Sequence, residues 1–175
     1  MRVRIATVLF ILAASTAFAQ DARDVTRNKL RAALNAAGKL SDVKTTFRQG
    51  EQEPYNFLAT IDDGLQHAEA LEIVIRVTPS DTLNFRVYPH YKDGYINADK
   101  VKDRLGLMRE MLLFTDRNFL YWGIDEAGDV FSGYTITLES GFPPEAVETV
   151  VRSIRNTDGF VGKLRPFIDG TGTRE

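Results

Sequence analysis

Two histidines, His67 and His90, are the imidazoles this chain offers to catalysis or metal binding. His67 stands in Leu65-Gln66-His67-Ala68-Glu69 with Glu72 nearby. A carboxylate and imidazole metal site can be drawn there, but the spacing does not match the helical i, i+4 zinc pattern, and His67 reads as a surface strand residue. His90 lies in Tyr88-Pro89-His90-Tyr91-Lys92-Asp93-Gly94, an aromatic-rich turn. Amphipathic aromatics beside a polar residue suit a packed loop or a recognition surface, so Tyr88, His90 and Tyr91 are candidate partner contacts. A serine nucleophile needs a sharp turn or an oxyanion site. No Gly-x-Ser-x-Gly occurs, and Ser132 and Ser153 fall in a predicted strand and a predicted helix. The acidic residues Asp62-Asp63, Asp125-Glu126 and Asp129 coincide with turns, where carboxylates bond their own backbone, and they lack the alternation of a calcium loop. Gly159 and Gly162 follow no strand, so they make no phosphate loop and read as loosening the last helix. Trp122, in a predicted strand, is a core or interface anchor, and becomes a contact residue if its face is exposed. The reading is of no catalytic set, no metal and no cofactor.

The elements that position these residues follow from periodicity. Asp21 to Gly38 has helical spacing at Val25, Leu30, Ala33, Leu34 and Ala37, with Gly38 as terminator. Asp42 to Glu53 is polar and reads as a loop or a weak edge strand. Tyr55 to Ile61 reads as a strand closed by Asp62-Asp63-Gly64. Leu71, Ile73, Ile75 and Val77 alternate with Glu72, Val74, Arg76 and Thr78, and Pro79-Ser80-Asp81 turns the chain into Leu83 to Tyr88, which ends at Pro89 because proline cannot donate to a ladder. Asn97 caps a predicted helix with Val101, Leu105, Leu107, Met108, Met111 and Leu112 on its buried face. Phe119 to Ile124 and Val130 to Leu138 form a hairpin, and Pro143-Pro144-Glu145 opens a final helix interrupted near Asp158-Gly159. The fold class is therefore α+β: an antiparallel sheet of about five strands with helices packed on one side, in the order α-β-β-β-α-β-β-α.

The N-terminus carries Arg2 and Arg4, an apolar run from Ile5 to Ala14, and Ala17 and Ala19 before Gln20. These are the three regions of a secretion signal, with cleavage expected between Ala19 and Gln20. The run is about half the ~20 apolar residues of a spanning helix. The chain has no cysteine to carry a lipid, so no stable membrane anchor is expected and the mature protein is expected in the periplasm or outside the cell. The expected organisation is a signal peptide over 1–19, one domain over 20–169 and a flexible tail over 170–175. Loss of Arg2 and Arg4 takes the formal charge from −2 to about −4, an acidic balance that argues against broad nucleic-acid binding. Without disulfides, stability has to come from an ordinary hydrophobic core.

The segment Met111-Leu112-Leu113-Phe114, then Asn118, then Leu120 to Val130 through Trp122 and the turn Asp125-Glu126-Ala127-Gly128, resembles the part shared by proteins of the type III secretion chaperone-like fold. Pro144-Glu145-Ala146-Val147 also fits, and the pattern runs from about Thr26 to Ile168. The chain is similar to the YbjN-like branch rather than to the secretion chaperones, which work in the cytoplasm without a signal peptide. The resemblance implies a small domain without enzymatic activity, often a homodimer, that binds a protein or peptide through its sheet face or a strand edge. The alternative is a small-molecule or lipid carrier with an apolar pocket between the sheet and the last helix. N-terminal sequencing of protein recovered from the producing cells is expected to begin at Gln20; a chain retaining Met1 to Ala19 overturns the export reading.

Overall fold

The computed structural model describes residues 4–171 except 93, with side chains from Gln20 onward. The elements run α1 (Arg4–Ala37), β1 (Arg48–Gln49), β2 (Asn56–Ile61), β3 (Ala70–Val77), β4 (Thr82–His90), α2 (Arg104–Arg117), β5 (Tyr121–Ile124), β6 (Val130–Thr137), α3 (Pro144–Ser153) and α4 (Asn156–Asp169). The strands form one antiparallel sheet of order β1-β2-β3-β4-β6-β5. The fold class is the expected one, with the polar stretch around Arg48 supplying a short sixth strand. Residues 1–3 and 172–175, at the ends of the expected signal and tail, lie outside the described residues, as do the side chains of 4–19.

Strand alternation decides which face is covered. Ala59, Ile73, Val87, Ser132 and Trp122 pair in register across five strands and are all buried. Leu30, Leu34 and Ala37 of α1, Val147, Val150 and Val151 of α3, and Val161 and Leu164 of α4 complete the same core. Val25, expected on the α1 stripe, is exposed, because the buried face of α1 begins at Leu30. Gly38 ends α1 where a Cβ would stand 2.4 Å from the Thr45 carbonyl oxygen, so the turn closes only around glycine.

Three expected boundaries move. β4 runs through Pro89 to His90. β6 stops pairing at Val87↔Ser132, so Pro89 has lost its neighbour on that side. Its carbonyl there accepts from Ile96 N–H, and its missing N–H points the same way, where no ladder needs it. The central helix starts at Arg104 and not at Asn97. Asp103 caps it by accepting from Gly106 N–H at 3.0 Å, whereas Asn97 accepts from Asp99 N–H and donates to Asp129 Oδ1 and the Ala127 carbonyl. The break in the last helical segment falls at Ile154–Arg155, where the backbone bonds tighten to i→i−3, and not at Asp158-Gly159. Gly162 does not loosen α4; a Cβ there would stand 2.9 Å from the His67 ring, which lies against the helix.

Asp158, in the first turn of α4, holds the connection between β2 and β3. Its carboxylate accepts from the backbone N–H groups of Gln66 (2.9 Å), His67 (2.8 Å) and Ala68 (2.7 Å). Burial pushes this carboxyl up, but the three amides, Ala68 foremost, outweigh it and leave it below the ordinary value. A depressed carboxyl stabilises the fold fully above its unfolded pKa and loses that contribution as pH falls through the folded one. Asp158→Asn is expected to cost about 1.5–3 kcal/mol at neutral pH. In urea titrations its gap to the parent chain should close below about pH 4; a pH-independent gap would refute this role.

Candidate functional site

The solvent face of α2 carries the largest apolar side chains left in water. Leu105 is 78 % exposed, Leu112 69 % and Met108 39 %. All three were expected to be buried. The buried face is instead Leu107, Met111 and Phe114, which pack toward β5 and α4. Both sets obey the same three and four residue spacing, so α2 has two apolar faces and the rest of the domain uses one. Gly106 lets α4 approach: a Cβ there would meet the Phe167 ring at 2.5 Å.

Trp122 belongs to the covered side. It is 7 % exposed and packs on Phe114 and Phe160 at ring distances of 5.6 and 5.8 Å, so it is a core anchor and presents no contact surface. Its outward backbone N–H donates to Thr115 Oγ1 of α2 at 2.9 Å, which closes this point of the β5 edge to an added strand. Ser132 is also internal, sharing a hydrogen bond with the Thr157 hydroxyl at 3.0 Å.

Tyr88 and His90 do come together, on the uncovered face of the sheet. The Tyr95 ring meets both, at 5.9 Å from Tyr88 and 4.5 Å from His90, and its hydroxyl donates to Glu72 Oε2 at 2.7 Å. His90 Nε2 stands 3.7 Å from the same carboxylate, beyond hydrogen-bond distance. Tyr91 turns away: its hydroxyl donates to Asp169 Oδ2 at 2.8 Å, and it joins Lys92 in fastening the end of α4. Hydrogen bonds from Lys92 and Tyr91 hold the Asp169 carboxyl below its ordinary value.

Sequence reasoning missed Tyr95, Arg86 and Phe131. The Arg86 guanidinium lies 4.4 Å from the Phe131 ring centroid and donates to the Tyr88 hydroxyl at 3.3 Å. Phe131 lies over Gly123, and Tyr121 lies over Gly133, each ring occupying the space a Cβ would take. Outward positions two apart on β4 were a readable signal for pairing Arg86 with Tyr88; the glycines opposite Phe131 and Tyr121 were not readable without strand register.

Neither expected chemistry nor an internal pocket dominates this geometry. Among the described residues, no group of three or more His, Asp or Glu side chains is placed to hold a metal ion, and no helix is long and apolar enough to cross a membrane. The apolar pocket expected of a carrier is not formed between the sheet and the last helix: Leu71, Ile73, Val161 and Leu164 lie there in one continuous core with no exposed surface. A cleft of about 490 Å³, lined in part by Phe119, Phe160, Arg155 and Lys163, is open to solvent at the surface.

These features define an α+β domain with one covered and one uncovered sheet face. No protein-family model and no curated protein matches the chain. Among solved structures the chain is similar to one described as the crystal structure of the ExsC-ExsE complex, with 13% identity over 79% of this chain and 94% of that chain and a TM-score of 0.46.

Burial, then the hydrogen bond to Glu72, pushes the Tyr95 hydroxyl up to about 12. The carboxylate favours the neutral phenol, so Glu72→Gln should lower this value. Ultraviolet titration of the six tyrosines, with Tyr95→Phe to assign the latest transition, tests it; an unmoved Tyr95 transition would exclude Glu72 as a cause.

Proposed function

We propose that the chain is a binding domain rather than an enzyme: an exported protein of the YbjN type that acts on a protein partner and self-associates as a homodimer through α2. The observation that carries this reading is the second apolar face of α2. Burying a leucine or methionine side chain is worth about 1.5–3 kcal/mol, and Leu105, Met108 and Leu112 leave that gain unused on a helix whose other face is fully packed. The YbjN type draws its support from the element order and from the Met111 to Val130 segment.

A second copy is the occupant this face fits. A two-fold contact pairs a surface with itself. Antiparallel apposition of α2, about 21 Å long, sets Leu105 of one copy against Leu112 of the other with Met108 near the axis. It also brings Arg104, at the N-terminal end of the helix, toward Asp116 at the C-terminal end of the other copy. Opposed helix dipoles favour the same direction.

Light scattering on the eluting protein is expected to give the mass of a dimer. Leu105→Asp combined with Leu112→Asp should raise the dimer dissociation constant at least 100-fold, about 2.7 kcal/mol. Because both side chains are exposed, each substitution should change monomer stability by no more than about 0.5 kcal/mol. A parent chain that stays monomeric at every concentration refutes this assembly.

A further inference from the structure

The uncovered sheet face carries a charge pattern opposite to that of the whole chain. Arg48, Leu58, Val74, Arg86, Gly133 and Tyr121 pair in register and form one row across all six strands. Arg76 lies on the same face, one strand over and two residues along from Arg86. The charged outward positions of the six strands are these three arginines and Glu72, and the Glu72 carboxylate already accepts from Tyr95. None of the three arginines is paired with a carboxylate among the described residues. The chain holds more acidic than basic residues, so three unpaired cations gathered on one uncovered face do not follow from composition.

Arg86 is the unusual member. It sits on a central strand, half-buried, with its guanidinium held over Phe131 and bonded to the Tyr88 hydroxyl. Phe131 is itself buried, flanked by Tyr88 and Tyr121. An arginine on a solvated sheet face ordinarily extends into water. Here the aromatic floor orients a planar cation whose remaining N–H groups suit a carboxylate in bidentate fashion.

We propose that this face docks an acidic, extended segment of a protein partner, with Arg86 as the central cation and Arg48 and Arg76 as outer ones. The proposal rests on the protein-binding reading above and names the chemistry of the partner. Neighbouring strands stand about 4.8 Å apart, which places Arg48 and Arg86, three strands apart, about 14 Å from each other. An extended segment crossing the strands advances about 3.4 Å per residue and turns alternate side chains the same way. Carboxylates four residues apart therefore match Arg48 and Arg86. The diagonal from Arg86 to Arg76 is about 7–8 Å, the reach of carboxylates two residues apart. Leu58 and Val74 lie between the cations in the row and provide apolar contact for the intervening side chains. Clustered lysines, which a nucleic-acid or lipid surface would favour, are absent from the outward strand positions.

The test is fluorescence anisotropy of a labelled peptide of alternating Glu and Val against the full chain, with an alternating Lys and Val peptide and phosphatidylglycerol vesicles as comparisons. The glutamate peptide should bind and the lysine peptide should not. Arg86→Gln should weaken binding about tenfold, Arg48→Gln with Arg76→Gln should do likewise, and added salt should weaken all three proteins toward a common value. Thermal unfolding of each variant reports folding, and the Arg48 and Arg76 pair, both exposed, carries the test if Arg86→Gln unfolds. Equal binding of the two peptides, unchanged affinity in folded variants, or arginine-dependent capture of the vesicles without the peptide each overturns the proposal. The outcome is distinct from that of the α2 test, since a monomer can bind the glutamate peptide and a dimer can fail to.

Discussion

Ala59, Ile73, Val87, Ser132 and Trp122 stand side by side across five strands, and α1, α3 and α4 complete the core that buries them. Coverage of one sheet face is the constraint from which the remaining architecture follows. A pleated strand sends alternate side chains to opposite faces, so a row buried on one side obliges a neighbouring row on the other to meet solvent. Arg48, Val74, Arg86 and Tyr121 occupy that row. The two faces are consequences of one register, and a one-residue slip would exchange them.

Polar groups at the margins of the covered face are satisfied by specific partners. Asp158 gathers three amides of the 62–69 connection onto the first turn of α4, and Tyr91 and Lys92 bind Asp169 at the end of the same helix. Thr115 meets the outward N–H of Trp122 where β5 forms the sheet edge. These contacts tie α4 to the sheet at both ends and blunt one edge, which leaves the α2 face and the uncovered sheet as the broad surfaces available to a partner.

Much of the fold was legible in the sequence because alternation of period two is hard to mistake. Leu71, Ile73, Ile75 and Val77 could face only one way, and Leu83, Phe85 and Val87 had to face the same way beside them. The candidate surface on α2 was not legible in the same manner. Leu105, Met108 and Leu112 have the same helical spacing as Leu107, Met111 and Phe114, so periodicity could not choose between the two stripes. Nor could it separate Asn97 from Asp103 as the helix cap, since both are short polar side chains able to accept from an N–H. Tyr88 and His90 were recognised as neighbours from local sequence, whereas Tyr95, Glu72 and Phe131 join them through strand pairing and a bridge between His90 and Tyr95.

The sequence by itself determined the fold class, the approximate strand order and the acidic, cysteine-free character of the chain, because these depend on periodicity and composition. Tertiary structure decided which apolar stripe of α2 is buried, that Trp122 is a core residue, and that Arg86 rests on Phe131 with Tyr88 beside it. The physical reason is that burial and charge pairing belong to surfaces in contact. Contact between residues far apart in the chain is set by register and packing, which local spacing does not encode.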